Sequence, residues 1–235
     1  MKKLLAVLLC LGLCGCATEP PQFVISVDSI NNNEAITQKS CVVTPGMQGV
    51  PPDDLNFKEY AGYVKRVLTL KGCVLSEDMQ TADIVVFLGY GVSEPKEHVY
   101  TYSTPIWGQT GVSSANTTGT VFSSGHNANI MATTTYTPSY GVVGASTHSG
   151  TFVTYTRQIS LVAYDMKIYR ETKREKQLWK TEIVSTGNCG DLRVVFPILL
   201  AAATKYIGEN TEQKVITTIQ EDSREVLEIK GISPR

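Results

Sequence analysis

Apolar residues recur every three or four positions through PPDDLNFKEYAGYVKRVLTLKG, with Leu55, Tyr60, Val64, Val67 and Leu68 on one stripe, the period of a helix half-buried against a core. Asp53 or Asp54 stands where an N-cap belongs and Gly72 where a chain turns left-handed to leave a helix, since a carboxylate accepts a free amide and glycine has no Cβ to clash. Lys65, Arg66 and Lys71 near the end complement the helix dipole and read as a solvated face. A second helical pattern, DLRVVFPILLAAATKYIG, contains Pro197, tolerated near a helix start or at a kink, and closes at Gly208. Elsewhere the period changes. The run from Ile84 to Leu88 is apolar at every position, which predicts an interior strand covered on both faces. YTRQISLVAYDMKIYRE and KQLWKTEIVSTG are strand patterns joined through the charged TKRE as a hairpin, and QFVISVDSI, ITQKSCVVTP and KVITTIQED add shorter strands. Together these elements predict an α+β fold, a mixed or antiparallel sheet backed by two helices, in a single domain over residues 23–235.

That domain is interrupted. From His98 to Thr156 there is no Asp, Glu, Lys or Arg, while Thr, Ser, Gly and Asn dominate and all three histidines fall inside. Disorder normally accompanies high charge and few aromatics, yet Tyr100, Tyr102, Trp107, Phe122, Tyr136 and Tyr140 lie here. Threonine and aromatic enrichment favours extended strands with turns at SSGHN and PSYGVVG. Residues 98–156 are therefore expected to form a long uncharged Thr/Ser/Gly-rich β excursion inserted between core strands. Three roles are open to it: a flexible loop, whose closure entropy grows slowly with length; an interaction surface that pairs edge to edge or stacks on a glycan or a partner sheet; or a site of self-association.

The first residues change the setting. Lys2 and Lys3 precede an apolar run, Leu4 to Leu13, too short to span a bilayer, and Gly15 then precedes Cys16, the layout of a cleavable export signal over residues 1–15. Leu13-Cys14-Gly15-Cys16 resembles the lipobox of bacterial lipoproteins, which implies that Cys16 becomes the lipidated N-terminus and that residues 16–22, containing Pro20 and Pro21, form a tether. Because each buried methylene contributes about 0.8 kcal/mol, two or more acyl chains hold a protein firmly at a membrane. By resemblance to the usual sorting pattern, Ala17 after the cysteine implies the outer membrane, facing the periplasm.

Without residues 1–15 the chain carries nineteen basic and twenty-two acidic residues, a formal charge of about −3, which excludes electrostatic capture of nucleic acid. Cys41, Cys73 and Cys189 remain besides the anchor, in a compartment that permits disulfides. A Cys41–Cys73 bridge leaves Cys189 over; the opposing reading makes all three small buried hydrophobes. No catalytic residue, metal site or cofactor is expected. His98, His126 and His148 lack the short spacing of a metal pair, and GASTH around Ser146 lacks the second glycine of a nucleophile elbow. Ser124 and His126 in SSGH suit a turn as well as a catalytic pair, so a lipid-anchored hydrolase using Ser124, His126 or His148 with a carboxylate such as Asp165 is the alternative reading. Glu171, Glu175 and Glu182 lie among lysines and arginines as solvated ion pairs.

The order of parts, Arg66 to Gly72, an acidic turn, ADIVVFLGYGV, the excursion, YTRQISLVAYD and Leu178-Trp179, resembles the Gram-negative envelope lipoproteins classed as domain of unknown function 4136. The resemblance covers residues 57–185. The chain departs from it at ITQKSCVVTP, where the family has an aromatic-rich first strand, and after Gly190, where it is extended. What it implies is an α+β fold in the periplasm and no activity. The expectation is thus a non-enzymatic envelope lipoprotein with a binding or structural role, its partners the membrane and another envelope protein or peptidoglycan.

Overall fold

Helix boundaries follow from local chemistry. In the computed structural model, which describes residues 20–33, 38–125 and 127–232, α1 (Leu55–Leu70) opens where the Asp54 carboxylate accepts the Phe57 amide at 2.8 Å and ends before Gly72, whose φ is +84°. Phe57, Tyr60, Ala61, Val64, Val67 and Leu68 form its buried face. The basic residues near its end are structural contacts as well as charges. Arg66 Nη1 donates to the Ile229 carbonyl at 2.7 Å, and Lys71 Nζ lies 2.7 Å from Glu209.

The strands are β1 (Gln22–Asn31), β2 (Ser40–Pro45), β3 (Val74–Leu75), β4 (Ile84–Val92), β5 (Lys96–Ser124), β6 (Asn127–Asp165), β7 (Gln177–Gly187) and β8 (Val215–Gln220). They make one mixed sheet in the order β3-β2-β4-β6-β7-β1-β8, with β5 paired to β6. β2 is parallel to β3 and β4, while β4–β6, β6–β7, β7–β1 and β1–β8 are antiparallel. The chain divides into two compact units, Glu97–Val153 and the remainder.

In the larger unit one face of the sheet carries the main core. Ile25 and Val27, Ile84, Val86 and Leu88, Ile159 and Leu161, and Trp179 and Ile183 share a cluster with α1, α3 (Leu192–Ala203) and α4 (Arg224–Lys230). Tyr60 stacks on Phe196 with centroids 4.4 Å apart and meets the Tyr90 ring edge-on. Hydroxyls within this face are paired: Ser29 Oγ lies 2.7 Å from Thr181 Oγ1, and Ser185 Oγ donates to the Val24 carbonyl at 2.8 Å. On the opposite face Val42, Ala82, Val85 and Met166 form a second, smaller cluster with Phe87 and Tyr164 packed against it. Thus β4, between β2 and β6, has apolar neighbours on both sides, the physical reason for its unbroken apolar run.

Among the described residues there are four helices rather than the two expected. Residues beyond Asp165 were expected to continue a strand; instead they form α2 (Met166–Thr172), because the Asp165 carboxylate accepts the Ile168 amide at 2.9 Å and starts a helix there. α4 follows the same rule with Ser223 as its cap and Gly231, at φ +73°, as its exit. Pro197 sits within α3, where it forgoes the hydrogen bond to the carbonyl four residues earlier.

The parallel pairing of β2 with β3 sets Cys41 opposite Leu75 and so brings it beside Cys73, which is bonded to it with a Cα separation of 6.2 Å. Both sulfurs belong to the main core. Among the described residues Cys189 is the free cysteine, partly exposed.

Two measurements check this arrangement. Val86→Asp places a charge beneath the helices and is expected to unfold the larger unit, several kcal/mol against a total of about 5–15 kcal/mol; Phe87→Asp, on the half-covered face, is expected to lower the melting temperature less, and equal losses contradict the difference between the faces. Serine at both Cys41 and Cys73 is expected to remove about 3–4 kcal/mol of stability in the chain-entropy model. In the denatured, unreduced protein, one free thiol among Cys41, Cys73 and Cys189 is the count that the bridge requires.

Candidate functional site

Among the described residues of the ribbon, Ser124 and His148 stand far apart. Ser124 ends β5 opposite Asn127, and His148 lies twenty-one residues beyond Asn127 on β6, ~70 Å of extended chain at ~3.3 Å per residue. Asp165, in the other unit, is occupied in capping α2. Cys16 and His126 lie outside the described residues. His148 stacks on Tyr102, with Nε2 3.2 Å from Thr104 Oγ1, and His98 stacks on Phe152. Among the described residues no group of three His, Cys, Asp or Glu is placed to hold a metal ion. An apolar cleft of about 510 Å³ beside α2 is lined by Met79, Phe87, Tyr164, Met166 and Tyr169, with the carboxylates of Asp165 and Glu175 at its wall.

What remains is the unit Glu97–Val153, a two-stranded ribbon of β5 and the first part of β6, turned at Gly125 with φ +61°. Its faces follow from cross-strand contacts. Thr117 and Thr134 hydroxyls are 2.9 Å apart and a Cβ on Gly119 would sit 3.2 Å from that of Ala132, so these four share a face; Gly108 abuts Val143 and Gly141 abuts Thr110 on the other. Alternation along a strand then assigns the rest. The first face carries Ala115 and Val121 from β5 and Ile130, Ala132, Tyr136, Pro138, Tyr140 and Val142 from β6. The second carries Thr110, Ser114, Asn116, Thr118 and Thr120 from β5 and Asn129, Thr133, Thr135, Thr137 and Ser139 from β6; exceptions are Val112, Phe122, Met131 and Val143 on this face and Ser113, Thr117 and Thr134 on the first.

Nearer its start the opposition shifts by one residue. Thr104 meets Ser146, whereas Gly108 meets Val143, so an additional residue on β5 forms a bulge at or beside Trp107. β6 keeps its alternation, and the rings of His98, Tyr100, Tyr102, His148 and Phe152 form a chain of contacts continuous with its apolar face. The large apolar side chains of the ribbon are exposed: Trp107 is 69% accessible, Tyr140 69% and Ile130 74%.

In the larger unit, the part of β6 that enters the central sheet is fixed by a residue that composition gave no reason to bury. Arg157, 1% exposed, donates to the Cys189 carbonyl at 3.0 Å and to Ser185 Oγ at 2.9 Å, beneath the Phe23 ring. Desolvation depresses its pKa. Its guanidinium occupies space beside Gly187 that a Cβ would need, with Nη2 only 2.9 Å from that point. The only legible hint was position: Arg157 is the first charge after the uncharged stretch.

No family model matches the chain, and no curated protein matches it. Among solved structures it is similar to a PDZ domain protein from Parabacteroides distasonis, at 11% identity and a TM-score of 0.36, over 86% of this chain and 40% of that one. It is also similar to the lysenin pore, at 7% identity and a TM-score of 0.10, over 86% of this chain and 49% of that one. The chain thus spans less than half the length of either, and likenesses this distant carry no argument.

The two tryptophans report on the two units separately. Acrylamide is expected to quench Trp107 and spare Trp179, which is 1% exposed, giving a biphasic plot. Trp107→Phe should remove the quenchable component; if the remaining emission is still quenched freely, the assignment of exposure is wrong.

Proposed function

We propose that the protein is a lipid-anchored envelope lipoprotein with a non-enzymatic binding role, and that the hairpin Glu97–Val153 is the surface with which it binds. Cys16 carries the lipid, and the outer membrane, on its periplasmic side, is the location. One observation carries the reading of the hairpin: its large apolar side chains lie exposed together with no charged residue among them from His98 to Val153. Contiguous exposed apolar surface on a folded protein marks a surface that is covered in use. The polar groups available for chemistry are spread along the ribbon or engaged in capping and stacking, which favours binding over hydrolysis.

Two experiments test the two halves. Metabolic labelling with a fatty acid is expected to tag the native chain and to be lost in Cys16→Ser; a tag that persists in that variant removes the anchor. A photoreactive amino acid at Tyr140 is expected to crosslink in intact cells, while one at Lys58, exposed on α1, is expected to give at most one tenth of the yield. Equal yields would mean that the hairpin is no binding surface.

A further inference from the structure

We propose that the hairpin enters a lipid bilayer and that several copies of the chain, each giving two strands, close there into a β-barrel. This rests on reading the hairpin as the binding surface, and names what that surface meets.

On β6 between Ile130 and Val142, Ile130, Ala132, Tyr136, Pro138, Tyr140 and Val142 point one way, with Thr134 the one aliphatic hydroxyl among them, and Thr133, Thr135, Thr137 and Ser139 point the other, with Met131 the one large apolar side chain among them. A strand in a membrane barrel needs that division, one face on acyl chains and one on a watery lumen. The length agrees. Twelve residues of rise from Ile130 to Val142 are about 40 Å at ~3.4 Å each, or ~30 Å across the bilayer at a tilt of ~40°, close to the hydrocarbon thickness. Beyond this band, toward the start of β5, the rings of His98, Tyr100, Tyr102, His148 and Phe152 stand together, where a barrel carries its interfacial aromatics.

Charge decides between lipid and a protein partner. A protein-binding surface has a polar, solvated rim and favours arginine, and its solvated face has no reason to exclude lysine or glutamate. Here both faces and the described part of the tip are free of charge, and the whole stretch from His98 to Thr156 contains none. That is the requirement for a segment whose tip crosses hydrocarbon. The closing step follows from the backbone. β5 pairs with β6 within the ribbon, leaving outward peptide groups on both edges, which hydrocarbon does not tolerate. A second copy offers the same two edges, and a ring of copies leaves none.

The test uses the acylated full-length chain, purified in detergent and added to vesicles of phosphatidylethanolamine and phosphatidylglycerol loaded with a self-quenching dye. Dye release, discrete conductance steps in planar bilayers and a blue shift of Trp107 emission in a Trp179→Phe background are expected. Charges on the apolar face, Ile130→Arg with Tyr136→Arg, are expected to reduce release at least tenfold with the melting of the larger unit unchanged. Charges on the hydroxyl face, Thr133→Arg with Thr135→Arg, are expected to keep release and shift selectivity toward anions. Absence of release from the native chain, with Trp107 as open to acrylamide as it is without vesicles, overturns the proposal, and so do two charged variants that behave alike. The parent reading fails separately: if vesicles give nothing but the photoreactive group at Tyr140 captures one envelope protein, the barrel falls and the binding surface stands. If that group captures nothing either, both fall.

Discussion

Two hydrogen-bonded ladders meet on β6. Over residues 157–165 it pairs with β4 on one side and β7 on the other, joining the parallel half of the sheet, β3, β2 and β4, to the antiparallel half, β7, β1 and β8. The residues that the ladders align, Ile159, Leu161 and Ala163, face the helices and are fully buried. Helices α1 and α3 have one continuous surface to cover only because this strand bridges the halves. Arg157 belongs to the same constraint. With its guanidinium bonded to a carbonyl and a hydroxyl rather than a carboxylate, it holds the β6–β7 pairing at the end of the sheet where the strand enters.

Local signals in the chain were legible. Asp54 and Gly72 bound α1, and the two-sided apolar run marked β4 as interior. α2 was not legible, because VAYD reads equally as the end of a strand and as the approach to an aspartate cap, and tertiary packing of Met166 against Val42 and Val85 decides between them. α4 was missed for a different reason: seven residues supply too little periodicity, and Ser223 and Gly231 show as its caps only in the structure. The Cys41–Cys73 pair depends on the parallel register of β2 and β3, a long-range fact that no spacing encodes.

The hairpin shows the same limit. Its β character could be read from Thr, Gly and aromatic content, but its two faces could not. Read alone, β5 gives no clean alternation: the bulge near Trp107 reverses which of its positions share a side with β6, and beyond it Val112 and Phe122 stand on the hydroxyl face while Val121 stands on the other. Only the cross-strand contacts of Thr117 with Thr134 and of Gly108 with Val143 separate the faces. His98 and His148, weighed in the sequence as metal ligands or catalytic groups, prove to be flat rings stacked in an aromatic row.

Long edges without charge also set a clock on the chain. Sheet edges in ordinary proteins are guarded by lysine, proline or bulges, and this ribbon has Pro105, Pro138 and one bulge over β5 and the part of β6 that precedes residue 154. Two such edges that meet out of register grow by further addition instead of closing, as any head-to-tail contact without rotational closure does. The time that the ribbon spends uncovered and at high local concentration is therefore the hazardous interval.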